Sequence, residues 1–200
     1  MINIINDDLY HHINEYDLIL VGTGIHCTMA NGFQRKVMLN YPYVQEMNMK
    51  TKYADKNKLG TILECKDANQ PTFILLFINE GNFRPDLKKE SLSYDSLEKC
   101  IKIINILYKG KNIASTILGL SRFEGNGDRD KIMKILSENC DNINLSLFDY
   151  KQLSRSEELK NIRDAELDLK KRDINAYYKA VKQRKEEADK RFKNNGHARY

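Results

Sequence analysis

Tryptophan is absent from this 200-residue chain, proline occurs three times and cysteine four times. The cysteines, Cys27, Cys65, Cys100 and Cys140, are scattered with no close pair. That spacing argues against a metal ribbon and a disulfide framework, so no metal is expected, and it fits a reducing, cytoplasmic setting. Long apolar runs are missing too: nothing approaches the roughly 20 residues that cross a bilayer, so no membrane partner is expected. Residues 1–10 alternate apolar and polar side chains, without the basic start and apolar centre of a secretion signal. Charge of one sign is missing from most of the chain. The net charge is +5, yet residues 151–200 alone carry 15 Lys+Arg against 9 Asp+Glu. The first 150 residues are therefore close to neutral, and a nucleic-acid reading would rest on the last fifty alone. There the basic residues are interleaved with acids, unlike a dedicated nucleic-acid arm.

What is present is ordinary in amount and ordered in pattern. Hydrophobic residues make up 41% of the chain, enough for one core. Short apolar runs at 18–21, 61–65, 73–78, 113–120 and 143–148, with residues 1–5, read as strands. Residues 32–47 have helical spacing, which Pro42 should break or kink. Leu97, Ile101, Ile104 and Leu107 place an amphipathic helix over 94–108, with Ser93 as its N-cap and Gly110 beyond its end. A second helix is expected over 128–139. Strands alternating with helices predict an α/β domain: helices on both faces of a mostly parallel sheet, over residues 1–150. Residues 151–200 read as a charged helical extension. Its narrow stripe of Ile174, Tyr178, Val181, Ala188 and Phe192 suits docking to a protein partner.

Two glycine-rich segments stand where such a domain places its ligands, beyond the carboxyl ends of strands. The first is Gly22-Thr23-Gly24, read as a turn ending the second strand, followed by Met29-Ala30-Asn31-Gly32-Phe33 at a helix start. The second spans residues 119–128, again between strand and helix. Glycine lets backbone N–H groups approach a phosphate, and a helix N-terminus adds partial positive charge. Both segments are candidates for an anion site. Arg122 is a candidate bidentate phosphate partner. His26 is a candidate general base, since its ordinary pKa lies near neutrality. Asp128 either activates water or stabilises the first turn of the following helix. Cys27 reads as a small buried hydrophobe.

The order of these pieces resembles the macro domain, in particular its smaller branch of ADP-ribose-1''-phosphate phosphatases and ADP-ribosyl-glutamate hydrolases. The segments that carry the resemblance are Asp7-Asp8-Leu9-Tyr10, Met29 through Gln34, Leu59-Gly60-Thr61-Ile62-Leu63, Ser93-Tyr94-Asp95-Ser96-Leu97, and the strand, glycine loop and helix from Ile113 onward. The resemblance implies a three-layer α/β/α fold over 1–150 and an ADP-ribose-type ligand, with no cofactor. Asp8 would receive the adenine amino group. Gly22, Thr23, Gly24, Asn31, Gly32 and Phe33 would hold the distal ribose and a phosphate. Ser121, Arg122, Gly125, Asn126 and Gly127 would wrap the pyrophosphate. Hydrolysis of an ADP-ribosyl ester or a 1''-phosphate would fall to Asp128 or His26. The branch's Gly-Cys-Gly stretch is Ser121-Arg122-Phe123 here, and its hydrolase lysine falls about at Asn79. Those departures motivate the alternative of a macro fold reused for assembly, for example in a bacteriophage virion, docking through 151–200.

Overall fold

Strands form where the apolar runs stand, and the carboxyl ends of all but one line up along one edge. The structure is a computed structural model, and it describes residues 2–29, 32–80, 90–121 and 124–149. The extension over 151–200, with its docking stripe, lies outside them. Six strands make one sheet in the order β1-β6-β5-β2-β4-β3. They are β1 (Ile2–Ile5), β2 (Leu18–Gly24), β3 (Ile62–Cys65), β4 (Phe73–Asn79), β5 (Asn112–Thr116) and β6 (Asn144–Phe148). All neighbours are parallel except β3, which runs antiparallel to β4 at the edge.

Among the described residues, four α-helices cover the two faces. α1 (Gly32–Asn40) and α2 (Pro42–Met49) are separated at the expected proline. Pro42 opens α2, where its missing N–H costs no helical hydrogen bond. α3 (Tyr94–Leu107) starts at Ser93, whose hydroxyl accepts the Ser96 N–H. α4 (Arg129–Asn139) starts at Asp128, whose carboxylate accepts the Lys131 N–H at 3.0 Å. The first connection, Leu9–Glu15, is a run of 3-10 turns.

Strand periodicity sorts the side chains between two cores. Leu18, Leu20, Ile74, Leu76 and Ile78 face the α3–α4 layer with Leu97, Ile101, Ile104, Ile132 and Leu136. Ile19, Val21, Phe73 and Leu75 face the other layer with Leu9, Ile13, Phe33, Val37 and Val44. The result is a three-layer α/β/α domain with a mixed, mostly parallel sheet.

Two local expectations are corrected. Gly22-Thr23-Gly24 is not a turn: β2 runs through it, pairing Gly22 with Leu76, Thr23 with Phe77 and, after a bulge, Gly24 with Asn79. The reason is β4, which is buried along its whole length and keeps offering a partner to the end of β2. A Cβ at Gly22 would stand 3.0 Å from Ile78 Cδ1, so the Ile78 side chain would have to give by a few tenths of an ångström. Conversely, β5 stops at Thr116, and residues 117–120 form a turn closed by the Leu120 N–H on the Ile117 carbonyl.

Candidate functional site

β2 and β5 are adjacent and parallel, but the chain leaves them toward opposite faces. After β2 it goes to α1 on one side of the sheet; after β5 it goes to α4 on the other. A crevice opens at such a switch point, and ligands of α/β sheets occupy it. The two glycine-rich segments picked out from the sequence flank this crevice. Asp8 after β1 and Asp149 after β6 stand along the same edge, since those strands are parallel to β5.

The β5–α4 loop is built around Leu92. Cβ atoms on Gly119, Gly125 and Gly127 would approach Leu92 to 2.6, 2.7 and 2.4 Å. Gly119 and Gly125 also have positive φ, 75° and 140°, as does Asn126 at 53°. The Gly125 carbonyl accepts the Ser91 and Leu92 N–H groups at 2.8 and 3.1 Å. The N–H groups of Glu124, Gly125 and Asn126 all point to the Ser121 carbonyl, and that of Gly127 to the Gly119 carbonyl. These four amides are thus engaged within the loop. At its core lies Glu124, 8% exposed. Burial pushes its carboxyl up to about 7, against the hydrogen bonds it accepts from the Ser121 side chain and the Gly119 N–H. Nothing in the sequence reading singled out Glu124, which stands between Phe123 and Gly125 in a segment of mixed polar residues and glycines.

The remaining candidates fall in different places. Asp128 spends one carboxylate oxygen on capping α4, and its own N–H donates to the Tyr94 hydroxyl at 2.8 Å, tying α4 to α3. Asp8 accepts the Tyr10 N–H at 3.0 Å and pairs with Lys36 of α1. Burial raises its carboxyl pKa, but the Lys36 and Tyr10 hydrogen bonds outweigh that and hold it below the usual value. Phe33 is a core residue of the α1 layer rather than an exposed platform. Thr23 is buried in β2. Gly32 opens α1 with φ 53°. Behind it Gln34 donates to the Gly22 carbonyl at 2.5 Å, satisfying a strand carbonyl beside the bulge. Asn31 and Arg122 lie outside the described residues.

His26 does not face the glycine loop. Its ring meets Tyr53 edge-on, with centroids 5.3 Å apart, in a cavity of about 440 Å³ between the loop after β2 and α2. No described residue of the β5–α4 loop lines that cavity. The structure therefore does not place the two candidate bases, His26 and Asp128, in one cavity. Asn79, where the resemblance expects a lysine, is buried at the end of β4. The buried lysine of the described residues is instead Lys58, in the short 3-10 turn before β3. Its charge was hidden in a polar stretch that reads as loop. Among the described residues no three His, Cys, Asp or Glu side chains are grouped to hold a metal ion.

No family model matches the sequence, and no curated protein matches it. Solved structures do. The macrodomain of Mycobacterium tuberculosis DarG is 17% identical over 74% of this chain and 97% of that one, at a TM-score of 0.56. A Bacteroides thetaiotaomicron protein of unknown function is 13% identical over 74% and 98%, at 0.59. Thermosipho africanus DarTG, in complex with ADP-ribose, is 16% identical over 76% of this chain and 43% of that one, at 0.52. The chain has the macro domain fold.

Proposed function

We propose that this domain binds ADP-ribose or a closely related nucleotide diphosphate in the crevice between β2 and β5. The observation that carries the reading is the divergence of the two connections, to α1 and to α4, which opens the crevice between two glycine-rich segments. The T. africanus protein of like fold holds ADP-ribose, which supports the same ligand class here. Asp8 and Lys36 would meet the adenine end. Gly24, Gly32 and the α1 N-terminus would meet the distal ribose and a phosphate, with the helix dipole favouring the anion. Ser121, Asn126 and Gly127 would line the opposite wall.

Hydrolysis of an ADP-ribosyl ester or 1''-phosphate is the finer reading, and the geometry favours binding over turnover. One oxygen of Asp128 is committed to the helix cap, and His26 opens into a different cavity. Titration calorimetry of the full chain with ADP-ribose tests the binding claim, with thermal unfolding as a second readout. Ligand at 100 times Kd stabilises a folded protein by about 2.7 kcal/mol. Absence of heat and of any thermal shift at millimolar ADP-ribose overturns the proposal.

A further inference from the structure

Cys27 and Lys58 form a buried pair that belongs to neither wall of the crevice. Lys58 Nζ lies 3.1 Å from Cys27 Sγ. It also donates to the Ile25 carbonyl at 2.9 Å, Thr51 Oγ1 at 2.9 Å and the Lys52 carbonyl at 3.2 Å, and it stands 4.5 Å from the centre of the Phe77 ring. Four acceptors compete for the three protons of an ammonium group. The neighbouring Lys52 and Lys56 pair with Asp55 and Glu80, whereas no carboxylate of the described residues lies within ion-pair distance of Lys58. A buried ammonium without an anion is costly. Cys27 holds an unusual backbone conformation, φ 53°, which presents its sulfur to both Lys58 and Thr51. Its other side lines the 440 Å³ cavity with His26, Met29, Met38, Met49 and Tyr53, wide enough to admit a peroxide. The remaining cysteines have no such access to chemistry: burial pushes the thiols of Cys65, Cys100 and Cys140 up to about 12.

We infer that Cys27 and Lys58 are a peroxide-driven crosslinking site, closing to a covalent sulfur–nitrogen bond. In the first step the Cys27 thiol takes one oxygen from hydrogen peroxide, giving the sulfenic acid and water; sulfur is oxidised by two electrons and the peroxide is reduced. In the second step Lys58 releases a proton to solvent, and the neutral Nζ attacks Sγ. The S–N bond forms, the S–O bond breaks, and the hydroxyl leaves with a further nitrogen proton as water. Beyond the ammonium proton given to solvent, the chain loses two hydrogens, one from sulfur and one from nitrogen, and the buried ammonium becomes an uncharged nitrogen. That discharge and the contact distance both favour closure over further oxidation. The bridge would tie the loop after β2 to the turn before β3, and an added thiol reopens it.

The test is intact and peptide mass spectrometry of the full chain after graded hydrogen peroxide, with and without dithiothreitol. The expected product is a crosslinked peptide joining Cys27 to Lys58, lighter by two hydrogens and released by dithiothreitol. Lys58→Arg keeps a cation but removes the nucleophilic amine. In that variant the crosslink is lost, and dimedone traps the Cys27 sulfenic acid instead. The inference is overturned by a Cys27 that stays unmodified, by one recovered as sulfinic acid or intermolecular disulfide with Lys58 free, or by a bridge that retains the peroxide oxygen. All of these are read on the unmutated chain, so a misfolded variant does not blunt the result.

Discussion

Glu124 makes the stability of this domain depend on pH in a direction opposite to that of most carboxylates. Its carboxyl is raised from 4.5 to about 7 by burial in the β5–α4 loop. An unfolded chain would titrate near 4.5, so between the two values the folded state holds a proton that the unfolded state has released. Stability from this group is therefore fully present below about 4.5 and is lost as pH rises through about 7. A difference near two and a half pKa units corresponds to about 3 kcal/mol at the order-of-magnitude level. Glu124→Gln keeps the shape and an acceptor for the Gly119 N–H while removing the titration. Urea unfolding of both proteins at pH 5 and pH 8 gives the comparison. The unmutated chain should lose about 2 to 3 kcal/mol more than the variant across that interval. His12, held between Asp7 and Glu15 at 3.1 and 3.0 Å, also has a raised pKa. It titrates alike in both proteins and cancels from the difference. Two pH curves that run parallel would refute the reasoning: Glu124 would then be ionised without penalty, and the loop would have to be solvated.

The loop glycines and the α4 cap give three further tests. Gly125→Ala places a methyl within 2.7–2.9 Å of Leu92 Cβ, Cα and N, at φ 140°, so backbone must move; a loss of about 2–4 kcal/mol in urea unfolding is expected. Gly127→Ala collides chiefly with the end of the Leu92 side chain, at 2.4 Å, so it should cost less in a Leu92→Ala background than alone, a coupling that a double-mutant cycle measures. Asp128→Ala should cost about 1 kcal/mol through loss of the α4 cap, and Asp128→Asn nearly nothing, because asparagine caps as well. If Asp128→Asn abolishes turnover of an ADP-ribosyl ester while leaving stability intact, the carboxylate acts as a base as well as a cap.

Most of the frame was legible because it is written in periodicity. The α3 stripe, the Ser93 cap, the break at Pro42, the buried run of β4 and the alternation of β6 each obey a local rule that the tertiary fold then respects. β2 escaped in part because strand length is a property of pairs: glycine reads as a stop, yet β4 continues alongside it to Asn79. The site was less legible for a related reason. Phe33 and Thr23 read from the sequence as ligand contacts, whereas the fold buries both side chains, Phe33 in the core of the α1 layer and Thr23 within β2. Lys58 and Cys27 are 31 residues apart, and no spacing rule brings a lysine in a polar stretch to a cysteine after a strand.

The glycines of residues 119–127 show how one signal can have two sufficient causes. From sequence, they point to a cradle for phosphate, because glycine permits close approach of backbone to an anion. In the fold, the close approach is to Leu92, and the amides of residues 124–127 already serve carbonyls of Ser121 and Gly119. If the packing role were the whole explanation, relieving it would restore alanine without loss of ligand wherever φ allows a side chain, which excludes Gly119 and Gly125 at φ 75° and 140°. The two roles separate at Gly127, whose crowding is with a flexible side-chain end. In a Leu92→Ala background, Gly127→Ala should fold with nearly the stability of Leu92→Ala alone. ADP-ribose affinity that remains intact there assigns the glycine to packing alone. A tenfold or greater loss, about 1.4 kcal/mol, assigns it to the ligand as well, and places the crevice wall where the strand topology puts it.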